Sequence, residues 1–400
     1  MTEIDRRISP ARTAAFDVLR QVEAGEFATD ALRVRTAALS SRDAGLATEL
    51  AMGCLRYQPQ LDWIVKRCSS RPLDRLDPEV LLSLRLAIYQ IRHLDRVPAH
   101  AAVDESVELV KWAGKRSAAP FVNAVLRRVK RTEVPWQDAA MEFCLPPWLW
   151  QRWCAEFGEQ AAERIATASL VPAETYIRVP AGREQEAESL LVEKTPVDGC
   201  YRLTGPDPGP FRIQDIGSQT IVPLLDLQPG CRFLDVAAAP GNKTAQALEI
   251  PVRAVACDAS VRRLAEMPQL HCPVVAARGE SLPFGPVFDR VLVDAPCSGT
   301  GTIRRNPEIK WRVTDKEVSR HAARQRELLR AALRVLVPGG RLVYSTCSLE
   351  RAENEAVVQQ VMGETAGAAR VVDTMRRLPG EHPGDGFFAA VITLEKPLST

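Results

Sequence analysis

The sequence predicts a helical N-terminal domain, a short α+β connecting segment and a C-terminal α/β domain built on a mostly parallel sheet. Three observations carry this expectation. Residues 8–132 place apolar side chains at helical spacing and show almost no strand signal. From Gln214 onward, short β-branched runs alternate with helical stretches, the pattern of a parallel sheet covered by helices. Two of those runs end in loops that carry cysteines, FDRVLVDAPCSGTGTI with Cys297 and RLVYSTCS with Cys347. At 400 residues the chain exceeds what one core usually supports, so the expected domains are 1–132, 133–213 and 214–400.

Composition narrows the function classes. No apolar run reaches the 18 or so residues of a membrane span, and the opening MTEIDRRISPARTAAF lacks a signal-peptide core. A cytoplasmic location away from membranes is therefore expected. The ten cysteines contain no C-x-x-C pair and the five histidines cluster with nothing, so neither a metal site nor a disulfide framework is expected. Net charge is +2, but residues 1–135 hold 22 Lys+Arg against 17 Asp+Glu. That basic bias permits nucleic-acid contact.

In the helical region, expected helices cover 11–23, 42–56, 60–68, 78–92, 101–114 and 119–131. The first follows a Ser9-Pro10 start. The run Arg127-Arg128-Val129-Lys130-Arg131 admits two readings, a phosphate contact or cations complementing a helix C-terminus. The connecting region reads as a helix over 149–169 followed by short strands near 175–179 and 199–203. Its tryptophans at 136, 148, 150 and 153 are expected to pack rather than to stack on bases.

In the α/β region, CRFLDVAAAPGNKTAQALE gives a strand ending at Asp235, a Gly/Pro loop and a helix from about Lys243. A strand, tight loop and helix form a nucleotide-type ligand site, here comprising Asp235, Ala237, Ala238, Ala239, Pro240, Gly241, Asn242 and Lys243. The next strand ends at Asp258, placed to accept hydrogen bonds from ribose hydroxyls. No G-x-G-x-x-G occurs, which disfavours a dinucleotide. A third strand over 274–276 leads to Arg278 and Glu280. The fourth ends at Asp294, where a parallel sheet collects ligands and catalytic groups, and Cys297 follows.

The helical order with RDAGLATELAMGCLR, LRLAIYQIRHLDRVPAHAAVDESVELVK and FVNAVLRR resembles the NusB-type RNA-binding domain. The motifs DVAAAPGNKT, DAPCSGTG and STCS, with QDIGSQ, IRRNPEIKW and DGFFAAVI, resemble the bacterial small-subunit ribosomal-RNA (cytosine-5)-methyltransferases of the Sun/Fmu type. The resemblance runs from about residue 8 to residue 396. It implies a class I, Rossmann-like methyltransferase domain whose seven-stranded sheet has its last strand, around 387–394, antiparallel. It also implies S-adenosyl-L-methionine as cofactor, held by the 235–243 residues, Asp258, Glu280 and Asp294. Ribosomal RNA, at an unpaired cytosine of 16S rRNA, is the implied partner of an expected monomer. Two positions depart from the family's usual CAAPGGKT loop: Ala237 and Asn242 replace a cysteine and a glycine, and Asn242 is expected to tolerate positive φ.

Cytosine C5 is a weak nucleophile, so a thiolate must first add to C6, splitting one hard step into easier ones. The resemblance points to Cys347 as that nucleophile, to Cys297 as the group that resolves the adduct, and to Asp294 as the holder of the N3 edge. Chemistry alone allows either cysteine to attack. Arg304, Arg305 and Lys310 admit two readings, contacts to RNA phosphates or solvated surface cations. Two other functions remain compatible with the motifs. A DNA cytosine-5 methyltransferase would use Cys297 as nucleophile. A non-catalytic RNA-binding assembly factor would need none of the site residues.

Overall fold

The computed structural model describes residues 8–131, 135–267 and 270–398. The opening residues 1–7 and the expected domain boundary at 132/133 lie outside them. By contact the chain forms two compact units, one running to Val171 and including Ile303–Arg312, the other Pro172–Thr302 with Val313–Thr400. The expected connecting region 133–213 thus divides, its helices up to Ser169 joining the first unit and its strands, with the short helix Glu184–Glu188, the second.

The first unit is helical. Helices Pro10–Glu23, Ala28–Thr36, Ser41–Arg56, Gln58–Cys68, Pro78–His93, Ala99–Trp112 and Ala119–Leu126 surround a core that includes Phe16, Leu50, Leu61, Leu84, Ile88 and Leu109. Proline opens the first, fourth and fifth of these near N1, where its missing N–H costs nothing. Helix Ala28–Thr36 was not anticipated: Ala28, Ala31 and Leu32 are buried, but most of its other residues face out, which leaves little apolar periodicity to read. The helix expected over 149–169 is two, Pro147–Phe157 and Glu159–Ser169, broken at Gly158, whose φ of 80° only glycine adopts freely.

Inside this unit the last expected helix stops at Leu126, so the basic run extends beyond it. Arg131 donates to the carbonyls of Ile91 (2.7 Å), Leu94 (3.2 Å) and Val97 (3.0 Å), and Arg128 donates to Cys68 O at 3.2 Å. Those carbonyls lie at or beyond the ends of helices Pro78–His93 and Gln58–Cys68, which favours the helix-terminus reading for these two arginines. The tryptophans pack as expected: Trp153 is buried, Trp136 meets Trp63 edge-on at 5.6 Å, and Trp150 lies 5.2 Å from Phe143.

Segment Ile303–Arg312 interrupts the α/β sequence yet is held in the helical unit. Glu308 accepts from Ala28 N at 2.9 Å, Trp311 Nε1 donates to Leu55 O at 3.3 Å, and Arg312 donates to Val22 O at 2.8 Å. Lys310 has no exposed surface and donates to Arg56 O at 3.5 Å. Its placement among phosphate contacts is therefore corrected: a side chain sealed from solvent cannot meet an RNA backbone.

In the second unit a small antiparallel sheet is formed by β1 (Thr175–Arg178), β2 (Val192–Lys194), β3 (Cys200–Leu203) and β4 (Arg212–Ile213), in the order β2-β3-β1-β4. The large sheet holds β5 (Arg232–Asp235), β6 (Arg253–Asp258), β7 (Val274–Ala276), β8 (Phe288–Asp294), β9 (Leu336–Thr346), β10 (Ala369–Arg377) and β11 (Phe387–Leu394). Its order is β10-β11-β9-β8-β5-β6-β7, with β11 antiparallel to both neighbours and β5 to β9 mutually parallel where they pair. This is the expected seven-stranded Rossmann-like sheet. The strand order reverses between β5 and β8, and the crevice beyond their carboxyl ends is where open α/β sheets bind ligands. No helix among the described residues is long and apolar enough to cross a membrane.

Candidate active site

Strand register brings the chemistry together. β8 pairs with β9 so that Asp294 lies beside Ser345, and β5 pairs with β8 so that Asp235 lies beside Leu292. The side chains at the ends of β5, β8 and β9 therefore converge. Val291, Leu292 and Val293 are fully buried, which fixes the strand that ends at Asp294.

Asp294 is the hub of one half of the site. Lys243 Nζ donates to its Oδ2 at 2.6 Å and Ser345 Oγ to its Oδ1 at 2.8 Å. Burial alone would lower the Lys243 pKa, but Asp294, with Cys347 and Asp235, outweighs it and holds the ammonium above its ordinary value. The same ammonium lies 5.3 Å from the centre of the Phe387 ring on β11.

The two cysteines form the other half. Cys297 Sγ and Cys347 Sγ are 3.4 Å apart, each residue half-buried. The hydrogen bond to Cys347, then burial, then the negative charges of Cys347 and Glu353 push the Cys297 thiol well above its ordinary pKa. Cys297 therefore keeps its proton at neutral pH. Cys347 is among the groups whose negative charge holds up the Lys243 ammonium.

The loops are tied tightly behind the sulfurs. Ser298 N donates to Glu353 Oε1 at 2.8 Å, and Ser298 Oγ and Ser348 Oγ (2.5 Å) both donate to Glu353 Oε2. Gln325 of helix Asp315–Val335 donates to Glu353 Oε1 at 3.2 Å and to Pro296 O at 2.9 Å. Ser345, Gln325 and Glu353 were not singled out from sequence. A polar residue in a charged stretch reads as a solvated one, and nothing local distinguishes them.

The loop after β5 fits an S-adenosylmethionine-type ligand. Asp235 is buried, takes the Thr244 hydroxyl on Oδ2 at 2.7 Å, and leaves Oδ1 without a hydrogen-bond partner. An orphaned buried carboxylate oxygen suits a cationic or hydroxyl-bearing ligand. Gly241 has φ 100°, and a Cβ there would approach Met267 Cε to 2.9 Å. Asn242 begins helix Asn242–Ala247 with ordinary φ and donates to Ile213 O at 3.1 Å. The tolerance of positive φ expected of Asn242 is not called on, because Gly241 takes up the left-handed turn. Around it, Ala238 N donates to Cys257 O and Ala239 N to Asp258 Oδ2, while Pro240 is exposed and Ala237 half-buried.

Asp258 at the end of β6 is buried, and its Oδ1 also accepts from Ser260 N at 2.9 Å. Arg263 lies 3.6 Å from Asp258 Oδ2 and also donates to Ala239 O. Glu280 is turned toward helix Asp315–Val335, where Arg324 Nε donates to it at 2.5 Å. Burial raises its pKa, but the hydrogen bond from Arg324, a backbone hydrogen bond and the charges of Arg324 and Arg278 together outweigh it and leave the group below its ordinary value. No group of three or more potential metal ligands occurs among the described residues.

Comparison with known proteins agrees with this construction. Residues 222–393 match the family described as 16S rRNA methyltransferase RsmB/F, and residues 9–131 match the NusB family. The probable ribosomal RNA small subunit methyltransferase B of Bacillus subtilis (strain 168) is 33% identical over 384 residues, covering 86% of each chain. The ribosomal RNA small subunit methyltransferase B of Enterobacter sp. (strain 638) is 32% identical, covering 96% of this chain and 98% of that one. Among solved structures, a methyltransferase homolog protein from Pyrococcus horikoshii is 27% identical, with TM-score 0.54, covering 64% of this chain and 97% of that one. An S-adenosylmethionine-dependent methyltransferase domain behind a NusB-type domain, with relatives matched over nearly their whole length, leaves one assignment: the chain belongs to the ribosomal RNA small subunit methyltransferase B family.

Proposed function

We propose that this chain methylates C5 of an unpaired cytosine in 16S ribosomal RNA through a covalent cysteine adduct at C6, acting as a monomer in the cytoplasm. The observation that carries the reading is the sulfur pair at 3.4 Å, one thiol held protonated, beside the Lys243–Asp294 ion pair at 2.6 Å.

Cys347 Sγ, as thiolate, adds to C6 of the ring. The C5–C6 electron pair becomes enamine-like as N3 takes a proton, which the Lys243 ammonium would supply while Asp294 holds the N3 edge of the base. Such covalent catalysis turns a weak carbon nucleophile into a competent one. S-adenosylmethionine supplies the methyl group that C5 accepts. A base then removes the C5 proton, the C6–sulfur bond breaks to release Cys347 as thiolate, and N3 returns its added proton, which restores the aromatic ring; Cys297 assists this release. Asp235, Lys243 and the 237–242 loop hold the cofactor, with Asp258 at its ribose and Glu280 near the adenine. The base must be unstacked to enter such a pocket, which suits a loop or single-stranded target.

Purified protein incubated with labelled S-adenosylmethionine should place label in 16S rRNA as 5-methylcytidine, read by nucleoside mass spectrometry. Label in duplex DNA instead would support the DNA reading. Absence of transfer to either, with RNA binding retained, would make the chain an assembly factor.

A further inference from the structure

Glu353 ends the short turn Arg351–Glu353 ahead of helix Glu355–Glu364 and has no exposed surface. Its carboxylate accepts from Ser298 N and Gln325 Nε2 on one oxygen and from the Ser298 and Ser348 hydroxyls on the other. Ser298 immediately follows Cys297, and Ser348 immediately follows Cys347. Its main-chain carbonyl accepts from Tyr344 OH on β9 at 2.5 Å. Every donor to the carboxylate is neutral, so its charge is stabilised by hydrogen bonds without a cation.

We propose that Glu353 is the positioning residue of the cysteine pair: its carboxylate clamps the loops that follow both cysteines and sets a negative charge behind them. The proposal rests on the methyl-transfer reading of the site but is built from different atoms. The clamp acts through Ser298 and Ser348, so the 3.4 Å sulfur separation depends on one side chain from a third segment. The charge acts on Cys297, whose thiol Glu353 pushes upward together with Cys347 and burial. The other titratable groups facing this cluster are Tyr344, Lys243, Asp294 and Glu355. Glu353 disfavours a negative charge on Cys297, while Cys347 is among the groups that hold up the Lys243 ammonium. The two sulfurs are thereby made unequal without either contacting a cationic partner directly.

The test separates clamp from charge. In Glu353→Gln (E353Q) the amide oxygen still accepts from Ser298 N and Gln325, while its two N–H groups face the serine hydroxyls, which turn to accept. The clamp stays and the charge goes. Iodoacetamide labelling of each cysteine, followed by peptide mass spectrometry across pH, reads the thiols without RNA or cofactor. The Cys297 labelling midpoint should fall by about one pH unit in E353Q, a change of about tenfold in the ionisation constant. In Glu353→Ala both go: Cys297 and Cys347 should label faster at every pH, and methyl transfer should fall roughly 100-fold, the scale of an ångström misplacement. If Glu353→Ala does not fold, the pair Ser298→Ala and Ser348→Ala removes two tethers and should reproduce the faster labelling.

An unchanged Cys297 profile in E353Q would overturn the charge role, and wild-type labelling with wild-type transfer in the alanine or serine variants would overturn the clamp. A wild-type chain that transfers no methyl but whose thiols still respond to E353Q would sink the functional reading alone.

Discussion

Two thiols with identical covalent chemistry stand at the ends of adjacent parallel strands, and only their surroundings assign them different roles. Cys297 is held as a thiol by Cys347, burial and Glu353, whereas Cys347 shares a pocket with the Lys243 ammonium. Cys347→Ala is therefore expected to abolish methyl transfer and to form no protein–RNA adduct. Cys297→Ala should still attack and transfer but release poorly, so a covalent complex accumulates on denaturing gels. The reverse pattern would favour Cys297 as nucleophile, and little change with no adduct in Cys297→Ala would make Cys297 a packing residue. Sequence alone left this choice open, because the residues that make the sulfurs unequal come from segments with no motif in common with either loop.

The same scale governs Asp235, whose pKa burial pushes up to about 7 against the Thr244 hydrogen bond, with Asp294 adding and Lys243 opposing. The folded state therefore holds a proton that the unfolded chain, with an ordinary carboxyl near 4, has released. A raised folded value means stability is full below pH 4 and is lost as pH rises through 7. Asp235→Asn keeps the shape and removes the titration. Thermal unfolding should show the wild type losing stability relative to this variant between pH 4 and 7, by up to about 4 kcal/mol for a three-unit shift. A pH-independent difference in melting temperature would show that Asp235 is ionised at no cost.

Among the elements, the strands were the most legible and the connections the least. Buried apolar runs announce β5 (Phe233, Leu234), β6 (Ala254, Ala256, Cys257) and β8 (Val291, Leu292, Val293), since a strand covered on both faces is apolar along its middle. The break at Gly158 and the two-residue β4 leave no such run. The loops around the site depend on close approach instead. Gly301 N donates to Cys347 O at 2.9 Å and Gly386 N to Gly301 O at 2.8 Å, so three segments cross at one glycine. A Cβ at Gly301 would come within 2.4 Å of Gly386 O and 2.7 Å of Cys347 O, backbone atoms that have no rotamer to escape into. Gly301→Ala must displace the Cys347 carbonyl. We expect a loss of about 1–3 kcal/mol in chemical denaturation and a drop in kcat larger than any change in cofactor affinity. Wild-type turnover in this variant would mean that the loop after β9 tolerates displacement.

For the whole chain, the instructive residue is Lys310, because it shows how a sequence motif can belong to one function and serve another unit. IRRNPEIKW contributes to the family resemblance and its cations invite a phosphate role, yet segment Ile303–Arg312 is part of the helical unit and Lys310 is sealed there. A lysine is expected at the surface unless paired, and nothing in a single sequence reveals that fold-level context. Burial lowers its pKa to about 8, with Cys144 raising and Arg56 lowering it further. The unfolded chain binds more protons than the folded one between that value and an ordinary lysine near 10.5, so stability on this account rises with pH through the window. Below pH 8 the folded protein carries the full cost of a buried ammonium, about 3 kcal/mol for a shift of that size. Lys310→Met fills similar space without the charge. Its midpoint in denaturant should exceed that of the wild type at pH 7, and the gap should narrow as pH climbs from 8 to 10.5. RNA affinity and its salt dependence should stay as they are. Equal stability at pH 7 combined with a flatter salt dependence of RNA binding would return Lys310 to the phosphates and unseat the buried assignment.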